Sequence, residues 1–277
     1  MEPFSFKKRK WYRSLRYPII IIMKLDIVIA VKNQTAKLLE HLEKIGIPYF
    51  DSLGITYDIL IVSDHSSEPE QNALKEGMKK MPLQVKLLPY EDIAGKGHGV
   101  KKGFLAADGD YVLFMDADFA TDIKTLEKIL PIINKYDGFI ASRHSKESKI
   151  LTKQTFIRRI TSWGARFIVK HKFHLQGIHD TQCGFKLFKR DIAQEMARRQ
   201  IIDGFAFDVE YLYFMQLNGF KVKEIPVTWT DDPSSTVGSP LKTSLKFYKD
   251  LKKIKKNKKN YLLEESKRKE LSSNPHK

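Results

Sequence analysis

The side chains that could do chemistry cluster just after apolar runs. The run 111–115 (YVLFM) ends in Asp116-Ala117-Asp118. Two carboxylates separated by one small residue can share a hard divalent cation, Mg2+ or Mn2+, and leave coordination positions open for phosphate oxygens. The run 57–63 (YDILIVS) ends in Ser63-Asp64-His65-Ser66-Ser67, and 25–31 (LDIVIAV) leads into Lys32-Asn33-Gln34. Gly95-Lys96-Gly97-His98-Gly99 reads as a glycine-rich loop ahead of a helix. Its N–H groups and lysine could hold a phosphate, although it lacks P-loop spacing.

These groups need a scaffold that brings several strand ends together. Further short apolar runs fall at 83–88, 138–141, 183–188 and 220–227. Helical patterns fall at 35–45, from about 69, and at 100–107, 124–135, 157–170 and 208–218. Strands that are apolar on both faces, alternating with helices, predict an α/β fold with a mostly parallel sheet covered on both sides. Ligands of such sheets sit beyond the carboxyl ends of the strands. Residues 231–240 are rich in Ser, Pro and Asp and read as a loop.

The 277 residues are enough for a proper core, and the single cysteine, Cys183, excludes a disulfide framework or a Cys-rich zinc site. Of 49 basic and 33 acidic residues, most of the imbalance lies at the ends. Residues 1–24 hold seven bases against one acid, and 240–277 hold thirteen against four. A near-neutral domain, 25–239, is therefore flanked by two basic extensions suited to polyanions such as acidic lipid head groups. In the second extension, Leu241, Leu245, Tyr248, Leu251 and Ile254 recur at helical spacing among lysines. That is a basic amphipathic helix able to lie on a membrane, with a fraying polar tail beyond Asn257. The apolar stretch 17–23 is far shorter than the ~20 residues of a span and shows no cleavage site. A cytoplasmic protein held peripherally at an anionic membrane surface is expected.

Together the motifs resemble the family 2 glycosyltransferases, and within them the dolichyl-phosphate (polyprenyl-phosphate) β-glucosyltransferases. The resemblance covers about residues 25–255. It rests on GKGHGVKKGFLAADGDYVLFMDAD (95–118), DTQCGFKLFKRD (180–191), IDGFAFDVE (202–210) and VTWTDDPSSTV (227–237). It implies a single GT-A, Rossmann-like domain and a metal-dependent, inverting transfer of glucose from a UDP-glucose donor to a polyprenyl or dolichyl phosphate acceptor, in protein glycosylation. On this carry-over Asn33, Asp64, Lys96, Asp116, Ala117 and Asp118 serve the nucleotide sugar, with Asp116 and Asp118 holding the metal. Arg143 and Arg158 or Arg159 receive the acceptor phosphate. Asp180, Asp208 and Glu210 lie near the reaction centre. The chain departs from the family's I-P-A-Y-N-E and V-D-D-G-S at 29–34 and 62–66, and has Arg166 where asparagine is usual.

The competing readings are GDP-mannose-dependent transfer to the same lipid, against which the 180–191 block argues, and a decayed transferase kept for binding or regulation. A specific nucleic-acid-binding role is disfavoured, since no helix-turn-helix, zinc-finger or RRM signature is present.

Overall fold

Leu25, Ile27, Ile29 and Val31 point into one apolar cluster while Val28 points into another, so the first run is apolar throughout because both of its faces are covered. The computed structural model describes residues 23–152, 156–230 and 240–273, except for the side chains of 156–163, 165 and 240–242. In its first half the chain forms β1 (Lys24–Val31), α1 (Thr35–His41), a π turn (Leu42–Gly46), α2 (Ile47–Ser52), β2 (Thr56–Ser63), α3 (Glu68–Met78), β3 (Val85–Leu87), α4 (Lys96–Ala106) and β4 (Tyr111–Met115). There follow α5 (Leu126–Ile129) between two 3-10 turns, β5 (Gly138–Ser142), β6 (Lys149–Ile150) and α6 (Phe156–Phe173). The last third holds β7 (Phe185–Lys189), α7 (Arg190–Arg199), α8 (Phe207–Leu217), β8 (Val222–Pro226), β9 (Thr228–Trp229), α9 (Pro240–Lys256), α10 (Lys258–Tyr261) and α11 (Glu265–Ser272).

All seven expected strands form one sheet in the order β3-β2-β1-β4-β7-β5-β8. Pairing is parallel except at β7, which runs antiparallel to both β4 and β5. After β1 the chain moves outward through β2 and β3, then returns to place β4 on β1's other edge. Such a reversal opens a crevice beyond the carboxyl ends of the strands on either side of it.

Three sequence expectations change. The glycine-rich segment is the first turn of α4, not a loop before it: only Gly95, at φ 140°, stands outside the helix. Gly97 and Gly99 are helical, and glycine suits them because a Cβ would come within 2.6 Å of the Ile202 carbonyl oxygen and 2.9 Å of the Ala30 Cβ. The helix α7 was not read from its charged sequence. Finally, the basic helix and the segment after it complete the core: α9 buries Phe247, Leu251 and Ile254, and the expected fraying tail buries Tyr261, Leu263 and Leu271. The domain therefore does not stop at 239. Of the expected basic N-terminal extension and the 231–240 loop, residues 1–22 and 231–239 lie outside the described residues.

The C-terminal segment is latched by polar groups. The Asn218 side chain donates to the Tyr261 carbonyl and accepts from the Leu263 N–H, both at 2.8 Å. Glu210 accepts from the Tyr261 hydroxyl at 2.5 Å and from the N–H groups of Ile201 and Ile202 at 2.8 and 3.1 Å. Burial pushes the Glu210 carboxyl up to about 7, against the lowering effect of these donors. A folded-state pKa above the unfolded one makes a contribution that is full below the unfolded value and is lost as pH rises through the folded value. The stability of the wild type should therefore fall relative to that of Glu210→Gln between pH 5 and 8, by an amount on the order of 2 kcal/mol, and its melting temperature with it. Thermal melts of both proteins across that range check it, and a constant difference would refute the charge effect.

Candidate active site at the carboxyl ends of the sheet

The crevice is stitched first by short-range polar contacts. Asn33, in the left-handed region at φ 50°, turns the chain after β1. Its N–H donates to the Ser66 hydroxyl at 3.1 Å, and its side-chain oxygen accepts from the Ser67 N–H at 2.9 Å. Asp64, at the end of β2, is buried and accepts from the Gly95 N–H at 2.6 Å, which ties β2 to the start of α4. The His98 N–H donates to the Asp203 carbonyl at 3.2 Å, closing the 201–204 segment over the same turn.

Beyond β4 lies the acidic pair. The Lys96 ammonium sits 2.6 Å from Asp116 Oδ1 and 5.3 Å above the Phe114 ring. Burial opposes the charge on Lys96, but Asp116, Asp208 and Asp118 outweigh it and raise the pKa. Asp118 accepts from the Ala120 N–H at 3.0 Å, and the small, buried Ala117 separates the two carboxylates. Beneath this pair Asp208, in the first turn of α8, meets Lys186 of β7 at 2.5 Å, with both side chains buried. Lys186 also donates to the Cys183 carbonyl at 2.7 Å. Sequence reasoning missed Lys186, although a lysine inside the apolar run FKLF was a signal that a buried carboxylate must face it.

A divalent cation fits Asp116 and Asp118. The donor set is oxygen only, as Mg2+ and Mn2+ prefer. Asp116 Oδ1 is buried and has no directed hydrogen bond, the Lys96 contact being an ion pair alone. Gly184 makes the space: a Cβ there would lie 1.9 Å from Asp116 Oδ2, and its carbonyl accepts from the Asp116 N–H at 3.0 Å. A different carboxylate group, Asp26, Asp58 and Asp108, gathers at the amino ends of β1, β2 and β4. It already surrounds the Lys24 ammonium, 2.7 Å from Asp58, and lies at the wrong edge of the sheet for the crevice.

Beside the acidic pair, β5 delivers Arg143. Its Nε and one Nη donate to Asp180 at 2.8 and 2.9 Å, and its own N–H donates to the same carboxylate at 2.9 Å. Its guanidinium also lies 5.5 Å from the Trp229 ring centroid. Burial works against both charges, but the fork overrides it, holding the Asp180 carboxyl well below the usual range and Arg143 firmly charged. Asp180 thus balances the arginine. Next to it a cleft is lined by Arg143, Arg166, Val169, Asp180, Gln182 and Phe247, among others.

Most of the residues read from sequence converge here: Asn33, Asp64, Lys96, Asp116, Ala117, Asp118, Asp208, Arg143 and Asp180. Glu210 does not, because the two residues from Asp208 to Glu210 carry its carboxylate to another face of α8, toward Ile201, Ile202 and Tyr261. Its place is structural, a correction to the expectation of a group near the reaction centre. Arg158 and Arg159 fall in the first turn of α6, and their side chains lie outside the described residues.

The profile of the family described as Glycosyl transferase family 2 matches residues 26–197. The chain belongs to that family. It is 33% identical over 210 residues to a dolichyl-phosphate beta-glucosyltransferase of Dictyostelium discoideum, covering 73% of this chain and 64% of that one. It is 30% identical over 246 residues to the enzyme of the same name from Drosophila melanogaster, covering 83% and 73%. The chain thus spans less than two thirds of the Dictyostelium relative. The fold is shared with glucosyl-3-phosphoglycerate synthase of Mycobacterium tuberculosis, solved in complex with Mn2+, UDP and phosphoglyceric acid. That match has a TM-score of 0.59 at 14% identity and covers 84% of this chain and 78% of that one.

Among family 2 glycosyltransferases the glycine behind the acidic pair offers a direct test here. Gly184→Ala should displace Asp116 and weaken Mn2+ binding in the presence of UDP by about tenfold or more, with secondary structure unchanged. Electron paramagnetic resonance of free Mn2+ and circular dichroism measure the two effects. Unaltered Mn2+ affinity would show that Asp116 is not held by that contact.

Proposed function

We propose that this protein transfers glucose from UDP-glucose to a polyprenyl phosphate of the dolichyl type, with inversion at the anomeric carbon. The observation that carries the reading is that the charge of Asp116, in the acidic pair, reaches Arg143 of the neighbouring cleft, in a chain about 30% identical to dolichyl-phosphate beta-glucosyltransferases. Asn33, Asp64 and Gly95 shape the nucleotide side of the crevice. Asp116 and Asp118 would hold Mg2+ or Mn2+, which when bound supplies Lewis-acid neutralisation of the diphosphate. Lys96 places a second positive charge at the same edge, where negative charge grows on the leaving group.

The acceptor enters from the arginine side. A phosphomonoester with a second pKa near ~6 is largely ionised at neutral pH, so its oxygen needs no strong general base. This suits a site whose buried carboxylates are already committed to lysine and arginine partners. The new bond joins the acceptor oxygen to the anomeric carbon, the bond from that carbon to the UDP oxygen breaks, and UDP leaves with the electron pair. No proton has to move. Arg143, fixed by Asp180, sets the approach.

The lipid acceptor implies work at a membrane, for which we favour the cytoplasmic leaflet. No helix among the described residues is long and apolar enough to cross a bilayer. Phe247, Leu251 and Ile254 of α9 are spent on the core while Leu245 stays exposed, so adhesion falls mainly to the exposed lysines of the helix, Lys246, Lys249, Lys252 and Lys256. Each contributes about 1 kcal/mol near an anionic surface.

Two outcomes are expected. Asp118→Asn should abolish transfer, and in competition UDP-glucose should outpace GDP-mannose by at least about tenfold, or 1.4 kcal/mol. Full activity of Asp118→Asn in excess EDTA, or faster mannose transfer, would overturn the assignment. Replacing Lys246, Lys249 and Lys252 by Ser should weaken co-sedimentation with anionic vesicles, and the difference should fade as salt rises past the ~8 Å screening length. Equal, salt-independent binding of both proteins would remove the electrostatic anchor.

A further inference from the structure

Arg166 projects from α6 into the cleft beside Arg143. Its charge is balanced differently from its neighbour's. Arg143 gives two side-chain donors to Asp180, so that pair is close to neutral. Among the described residues, the buried Nε of Arg166 has no hydrogen-bond partner. Burial lowers its pKa, while the charges reaching it, attraction from Asp180 and repulsion from Arg143, oppose each other. A guanidinium remains protonated in such a place. Among the described residues, the cleft therefore holds one positive charge that is not compensated, together with a buried donor left unsatisfied. Leaving such a donor empty is costly, and an anion would satisfy it.

The rest of the cleft lining is partly apolar. Val169 and Phe247 contribute to it, from α6 and α9 respectively. The same two helices carry exposed apolar side chains close by in sequence, Phe167 at 52% and Leu245 at 59% exposure. A phosphate dianion with a hydrocarbon chain attached matches both halves: oxygens toward the arginines, and the first chain carbons along Val169 and Phe247.

We infer that Arg166, with the outer edge of Arg143, binds the phosphate of an amphiphilic phosphomonoester, and that Val169 and Phe247 receive the start of its chain. This rests on the acceptor reading above and deepens it: Arg166 is the residue that discriminates a charged acceptor, while Arg143 is the one that Asp180 orients.

The test uses the full chain, with farnesyl phosphate, inorganic phosphate and farnesol as probes. Binding is followed by calorimetry without donor, and turnover with UDP-glucose gives separate KM values for donor and acceptor. Farnesyl phosphate should bind at least tenfold more tightly than inorganic phosphate, and farnesol should bind at least tenfold more weakly than farnesyl phosphate. Arg166→Gln should weaken farnesyl phosphate at least tenfold and raise the acceptor KM alike, leaving the donor KM within twofold. Arg166→Lys, which keeps the charge without the fork, should fall between. Farnesyl phosphate affinity unchanged in both variants overturns the proposal, and so does a donor KM that rises together with the acceptor KM. Inorganic phosphate binding as tightly as farnesyl phosphate overturns the amphiphile. Arg166-dependent binding of farnesyl phosphate with no glucose transfer by the wild type upholds the site and sinks the proposed function instead.

Discussion

An ammonium group inside a sheet must be met by a carboxylate, and Lys186 is met by Asp208 at 2.5 Å. Removing one member of such a pair strands a buried charge, typically at a cost of about 3–5 kcal/mol. The contact therefore holds β7 against α8. Because β7 starts at Phe185, it also fixes the position of Gly184, whose missing side chain is the space that Asp116 occupies. Lys96 comes to the same place from α4 and feels Asp208 as well as the acidic pair. The result alternates charge signs, Lys186, Asp208, Lys96, Asp116, from the interior to the crevice. A site that handles two anions gains from such an arrangement, since its positive groups are already oriented before substrate arrives.

A second set of contacts holds the roof of the crevice. The 201–204 segment lies against the start of α4 so closely that a Cβ on Gly95, just before the helix, would come within 2.1 Å of the Asp203 carbonyl oxygen. Glu210 grips this segment from below and Tyr261 from α10 at the same time. The C-terminal helices are therefore mechanically continuous with the turn that carries Lys96. Residues that look like a polar tail in composition are part of what keeps this edge of the crevice in shape.

The two ends of the crevice solve opposite electrostatic problems. Around Asp116, Asp118 and Asp208 the carboxylates outnumber the lysines that meet them, Lys96 and Lys186, and a divalent ion would redress that excess. On the arginine side, Asp180 cancels Arg143 and leaves Arg166 in excess. A donor carrying a diphosphate with its metal, and an acceptor carrying a bare phosphate, would each find the charge they lack. The lysine-rich outer face of α9 extends the positive field to the surface without entering the site.

By itself the sequence determined the strands and the acidic pair. An apolar run covered on both faces is continuous whatever packs on it, so 25–31, 57–63 and 111–115 could be read as strands, with Asp64, Asp116 and Asp118 at their ends. Asp180 and Arg143 were found as members of motifs, but their mutual fork was not, for the two residues are 37 positions apart. The rest depended on long-range pairing in the same way. Nothing local to FKLFK states that β7 runs antiparallel between β4 and β5, or that Lys186 meets Asp208. Nothing local to FDVE separates the role of Asp208 from that of Glu210. Helical spacing marked the apolar stripe of α9, but not whether lipid or protein would cover it. Period and composition record how deeply a residue is buried. Which partner it meets there is settled only when distant segments compete for the same interior, and in this chain that competition gave Phe247, Leu251 and Ile254 to the protein's own core.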